Sequence, residues 1–206
     1  MSRKILVSIV AVGVLAIVVY NFIGTGTTSK SYIDEISALR AEKDEMFKNS
    51  NDSPLTDEQL KQFNMLNYFP IAERYRIEAD FSINSMEQTI KMAITDGSQR
   101  TYLVYGNAHF HLDGKELDLT VYKSVEGTSD YLFVPFYDKT SADLTYGGGR
   151  YLEPELLENG KLEIDFNRAY NPYCAYNPAY RCPIPPRDNN LDVRILAGEK
   201  NPEFTH

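Results

Sequence analysis

The dipeptide Asp113-Gly114, set between two stretches of alternating apolar and polar residues, constrains this chain more than any other feature. An Asp-Gly pair supplies the two positive φ angles of a two-residue hairpin turn, so Tyr102–Leu112 and Lys115–Val125 are expected to pair as antiparallel strands. The turn also fixes the register. His111 should face Glu116 and His109 should face Asp118, while Ala108, Phe110, Leu112, Leu117 and Leu119 point to the other, core side.

The same period of two recurs along the chain after Pro70. Tyr75, Ile77, Ala79, Phe81 and Ile83 alternate with polar residues, Ile90, Met92 and Ile94 continue the pattern, and Leu162–Phe166 repeats it, while Tyr131–Tyr137 is expected as a further strand. A short last strand is expected within Leu191–Leu196. Strands in succession with tight turns predict a mainly β fold, an antiparallel meander curled into a partly open barrel or a sandwich. N-terminal helices precede it and a long irregular C-terminal tail comes after it.

The first seventy residues have another period. Ile33, Ile36, Leu39 and Met46 recur at helical spacing, and Thr56 with Gln59 forms a capping-box signature for a short second helix. Before them, Ile5 to Ile23 is an almost unbroken apolar run behind Arg3 and Lys4, roughly 28 Å long as a helix and so able to cross a bilayer. It ends without a small-residue cleavage site, and no cysteine comes after it to carry a lipid. An uncleaved signal anchor is expected, with the N-terminus cytoplasmic and the domain in the periplasm or outside the cell. Residues 1–30 then form anchor and tether, and residues 31–206 one extracytoplasmic domain.

Charge removes one class of partner. Of 21 basic and 29 acidic residues, the first thirty positions hold Arg3, Lys4 and Lys30 and no acid, which leaves 18 against 29 and a net charge near −11 outside the membrane. Such a surface repels phosphate backbones, so nucleic-acid binding is not expected.

Several constellations could carry chemistry. His109 and His111 facing two carboxylates could bind zinc or exchange protons, but their face is the solvent side, where ordinary cross-strand pairs are the simpler expectation. Gly147-Gly148-Gly149 lacks the spacing of a phosphate loop and marks a tight bend or close backbone approach. Arg150 after it could hold Asp138, Asp165 or an anionic ligand. No metal or cofactor is expected.

The tail from Asp165 to Lys200 is the most irregular stretch. Tyr170-Asn-Pro-Tyr-Cys-Ala175 is echoed by Tyr176-Asn-Pro-Ala-Tyr-Arg181, and Pro183, Pro185 and Pro186 stiffen the segment after Cys182. Cys174 and Cys182, outside the cytoplasm, are expected to form a disulfide. The tail reads first as a belt closing the β-rich domain and second as a ligand-binding surface.

Long segments resemble the bacterial domain of unknown function (DUF) 1684 family. They include Arg40…Lys43-Asp44…Phe47, Ser53-Pro54-Leu55, Tyr68-Phe69-Pro70, Phe133-Val-Pro-Phe136 with Asp138-Lys-Thr-Ser141, Thr145–Leu152, Asp165–Cys174, Cys182-Pro183 and Asn189–Lys200. The resemblance implies no activity. It implies that the Asp138/Arg150 region and the tail belong to a shared framework. A ligand-binding module is the leading expectation, with Asp138, Arg150, Asp165, Asn167, Tyr170, Tyr176 and Glu199 as candidate contacts. One alternative is a hydrolase using Asp138 or Asp165 with Glu199 as paired carboxylates. The other is a protein-interaction scaffold without a small-molecule site. The identity of a small-molecule or protein partner is not encoded legibly.

Overall fold

Ser29 starts the first helix: its hydroxyl accepts a hydrogen bond from the Tyr32 N–H, satisfying a donor that the helix cannot. Helix α1 then runs Lys30–Asn49 in a computed structural model that describes residues 28–126 and 130–203. The expected anchor, Ile5 to Ile23, lies outside the described residues. Among the described residues, no helix is long and apolar enough to cross a membrane.

Helix α1 does not bury the stripe its apolar residues suggest. Ile33 and Leu39 are exposed, while Tyr32, Ile36 and Phe47 are buried. The inward line is Tyr32, Ile36, Arg40, Lys43, Phe47, a true 3.6-residue stripe whose middle is cationic. Burying each of the three apolar members contributes about 1.5–3 kcal/mol. Helix α2 (Asp57–Leu60) comes next, with the Thr56 hydroxyl and Gln59 carboxamide capping each other's backbone.

Nine strands come after the helices among the described residues. They are β1 (Arg76–Ile83), β2 (Thr89–Ala93), β3 (Gln99–Leu112), β4 (Lys115–Ser124), β5 (Val134–Asp138), β6 (Arg150–Leu152), β7 (Glu155–Leu156), β8 (Leu162–Asp165) and β9 (Asn190–Leu191). Asp113 (φ 50°) and Gly114 (φ 75°) make the β3–β4 turn, and His109 pairs with Asp118 and His111 with Glu116, the register that the turn requires.

The architecture is mainly β, but not a simple meander. Strand β3 is long enough to take β4 along one edge and β2 then β1 along the other. The N-terminal half of β1 pairs instead with β8, and β8 with β7, giving an antiparallel six-stranded sheet. Strands β6, β5 and β9 form a second sheet, in which β5 and β9 are parallel. Neither sheet closes into a barrel.

One core joins the sheets. Phe110, Leu119 and Val121 of the first share a buried cluster with Val134, Phe136, Leu152 and Ile195 on the other side, and Phe166 meets Phe136 edge-on at 5.5 Å. Asn189, fully buried, braces the gap. Its side chain accepts from the Thr120 N–H and donates to the Thr120 and Pro135 carbonyls, so no polar atom of that carboxamide is stranded.

Candidate functional site

The buried acids Asp138, Asp165 and Glu199 each centre a network of their own. In the first, Asp138 and Arg150 are almost wholly buried and 3.4 Å apart. Asp138 Oδ1 accepts from Thr140 and Ser141, and Oδ2 from Arg150 and the Ile195 N–H. Arg150 Nη1 and Nη2 also donate to the carbonyls of Ala197 and Glu199 and of Ile195, respectively. Burial presses the guanidinium toward losing its proton, and Asp138 opposes that shift. This pair pins the last loop to the second sheet. Gly149 lets it do so: its φ is +84°, and a Cβ there would sit 2.7 Å from the Phe136 carbonyl.

In the second network, Asp165 accepts from the Tyr32 hydroxyl at 2.8 Å and from the Asn167 backbone N–H at 2.9 Å. Asn167 donates to the Tyr32 hydroxyl and the Ala72 carbonyl and accepts from the Ala72 N–H. Burial, then the neighbouring carboxylate, hold the Tyr32 phenol far above its usual titration. The group locks α1 onto the end of β8.

The third network opens onto solvent. Glu199 Oε2 accepts from the Asn171 N–H and the Tyr176 hydroxyl, both at 2.8 Å, while Oε1 faces the Lys43 ammonium at 2.6 Å. Gly198 (φ +73°) permits this position, because a Cβ would lie 2.5 Å from the Ala169 carbonyl. Glu199 lines a cavity of about 710 Å³ between α1, the chain just after β8 and the segment around Glu153. Arg40, Lys43, Tyr68, Asn167 and Tyr170 line it too, with Tyr131 and Leu132 on the far wall.

The polar groups of this cavity are unevenly served. Lys123 pairs with Asp130, Arg168 with Glu155, and the Tyr170 hydroxyl donates to Glu153. Arg40 is different: it stacks on the Tyr68 ring at 4.4 Å and donates to the Phe69 and Asn167 carbonyls, and among the described residues it pairs with no carboxylate. Five buried side-chain atoms lack a hydrogen-bond partner among the described residues: Arg40 Nε, Tyr68 Oη, Glu199 Oε1, Arg150 Nε and Asn171 Oδ1. The first three belong to residues lining this cavity. Glu199 Oε1 has the Lys43 ion pair but no directed hydrogen bond; Arg40 Nε and Tyr68 Oη have nothing. Burial lowers the Arg40 pKa and raises that of Tyr68.

A second cavity of about 410 Å³ shares Lys43, Tyr131, Glu153 and Tyr170 with the first and continues to Cys182. The cysteines are not joined as the expected disulfide. Both are buried free thiols, and Cys182 Sγ accepts a hydrogen bond from the Cys174 N–H at 3.2 Å. His109, His111 and Glu116 bring their ligand atoms within 4.8 Å of one another on the solvent face, each imidazole already hydrogen-bonded to the carboxylate opposite.

Of the residues singled out from the sequence, Glu199, Asn167 and Tyr170 therefore meet at the open cavity. Asp138, Arg150 and Asp165 lie beneath it in closed networks, and Tyr176 is buried against Phe47 and Glu199. Sequence reasoning missed Arg40, Lys43 and Tyr68 as site residues. The signal was two cations on the buried stripe of α1.

A family model described as a protein of unknown function (DUF1684) matches residues 61–200. The solution NMR structure of an uncharacterised protein from gene locus rrnAC0354 of Haloarcula marismortui is similar, with a TM-score of 0.65 and 35% identity. That similarity covers 83% of this chain and 95% of the other. No curated protein matches.

Proposed function

From a chain that belongs to the DUF1684 family, whose description names no activity, we propose a ligand-binding module that takes a small organic anion into the cavity between α1 and the tail. The observation that carries this reading is Arg40, whose Nε has no partner and which forms no ion pair among the described residues, beside the orphaned Tyr68 hydroxyl. A buried polar atom without a partner costs about 1–3 kcal/mol, and a carboxylate or similar oxyanion would satisfy both donors at once. Tyr170 and Tyr131 supply amphipathic walls for an apolar body, and Glu199 Oε1 can accept from a ligand hydroxyl.

Catalysis by paired carboxylates has less support. The oxygens of Asp138 and Asp165 are taken up by internal donors, and the other acids lining the cavity, Asp130, Glu153 and Glu155, are engaged by Lys123, the Tyr170 hydroxyl and Arg168. Anchoring by Ile5–Ile23, with the domain outside the cytoplasm, is part of the proposal and rests on that apolar run and the basic residues before it. Protease added to spheroplasts should digest the domain; its protection there would place it in the cytoplasm.

A thermal-shift panel tests the ligand reading. Aliphatic and aromatic monocarboxylates, sugar acids, neutral sugars and inorganic phosphate would be added to the full chain. An organic acid should raise the melting temperature of the wild type, and Arg40→Gln should abolish the rise. A flat panel, or a rise that survives in Arg40→Gln, would count against the cavity.

A further inference from the structure

We propose that Cys182 and Cys174 form a dithiol site that exchanges with low-molecular-weight organic disulfides entering the aromatic cavity beside Arg100 and Arg181. This goes beyond anion binding and does not depend on it, since the two cavities only adjoin.

Backbone contacts hold Cys182 on both sides. Its N–H donates to the Thr95 hydroxyl, its carbonyl accepts from the Thr95 N–H, and Pro183 bridges to Ile94 at the end of β2. Cys174 is presented by the short turn Tyr173–Ala175, which starts after Pro172. Cys182 lines the 410 Å³ cavity, and Cys174 sits behind it, its N–H pointing at Cys182 Sγ. A sulfur that accepts hydrogen bonds in a cavity with two guanidiniums is placed to act as a thiolate.

The electrostatics agree with that assignment. A hydrogen bond from the Cys174 thiol, backbone N–H groups of residues 173 and 174, and the Arg100 charge lower the Cys182 pKa below that of an ordinary thiol, against the opposing effect of burial. Cys174, as the donor, is pushed up. The other titratable groups around the pair include the phenols of Tyr146, Tyr151 and Tyr173, raised mainly by burial, and Arg181, which pairs with Asp96, while Tyr102, Tyr131, Tyr170 and Tyr180 also line the cavity. Arg100 pairs loosely with Glu126 at 3.4 Å, and Glu153 and Lys43 also line the cavity.

The chemistry balances as two displacements. The Cys182 thiolate attacks one sulfur of RS–SR; that bond breaks, and RS⁻ leaves and takes up a proton. Cys174 then loses its proton and attacks Cys182 Sγ, expelling a second RS⁻, which takes up that proton. The two cysteines lose two electrons and become a disulfide, and RS–SR becomes two thiols. A thiol reductant reverses the cycle.

The test uses 4,4′-dithiodipyridine, a small aromatic disulfide, on the pre-reduced full chain. Native protein should release two thiopyridones per chain, with the first release titrating below the ordinary thiol value of about 8.5. Cys174→Ser should stop after one release, with the mixed disulfide found on Cys182 by mass spectrometry. Cys182→Ser should slow the first release about tenfold or more. The wild-type pH profile keeps the proposal testable if either variant folds poorly. Release only after unfolding, a profile of an ordinary thiol, or a disulfide that cannot be reduced in the folded chain would each overturn it. The last outcome would make the pair a structural staple.

Discussion

Lys43 Nζ lies 2.6 Å from Glu199 Oε1, joining the middle of the N-terminal helix to a loop 156 positions further along the chain. Glu199 is 1% exposed at its side chain and Lys43 21%, so the carboxylate depends on the ammonium more than the reverse.

Removing the cation should therefore destabilise the fold as well as the cavity. Lys43→Met leaves Glu199 buried with only neutral donors, at a cost of about 2–4 kcal/mol in urea unfolding. Adding Glu199→Gln to that variant should recover part of the loss. If both single variants and the double variant are as stable as the wild type, the pair contributes nothing.

Asp138 and Arg150 should behave as framework. Arg150→Met strands a buried carboxylate and three carbonyls and should cost about 3–5 kcal/mol. Asp138→Asn should cost less, because the carboxamide can keep part of the pattern of accepted hydrogen bonds. A variant at either position that stays fully stable but loses ligand response would instead assign the pair to the site.

Tyr32→Phe deletes the hydroxyl that bonds Asp165 and Asn167 without altering the ring. The expected loss is about 1–3 kcal/mol. Amides of α1 should then exchange faster, while those of β3 and β4 keep their protection. Uniform loss of protection across the sheet would mean that α1 does not open as a separate unit.

The Asp118 hydrogen bond raises the His109 pKa above its ordinary value. A raised folded-state value means the pair's contribution is present below about pH 6.5 and is lost as pH rises through the folded value. Proton NMR titration should place the His109 midpoint above the free-imidazole value, and Asp118→Asn should bring it down. An unchanged midpoint in that variant would remove Asp118 as the cause.

How much of this was legible in the sequence depends on the range of the interaction. Strands β1 to β4 announce themselves by local alternation, and Asp113-Gly114 fixes which residue faces which. The second sheet does not. Strand β9 has two residues, and what seats it beside β5 is the Asn189 brace and the Arg150 contacts, formed across some forty to seventy positions. Helix α1 was legible as a helix, but Ile33 and Leu39 pointed to the wrong face. The buried stripe carries Arg40 and Lys43, which an apolar-only pattern discards. The cavity was the least legible, since α1, Tyr68, Glu153 and Glu199 meet only in three dimensions. Cys174 and Cys182 stand out in the sequence as a pair, but sequence alone could not show that the second opens onto a cavity.

The most direct measurement concerns Arg40 Nε. In nitrogen–proton NMR spectra, the Arg40 Nε–H signal would be tracked while the best-stabilising organic acid from the panel is added. Arg150 Nε, equally without a partner but outside the cavity, is the internal control. The cavity reading predicts that the Arg40 signal shifts and gains protection from exchange with saturation, while the Arg150 signal stays in place. An Arg40 signal that does not move, or one that moves no more than Arg150, would contradict it.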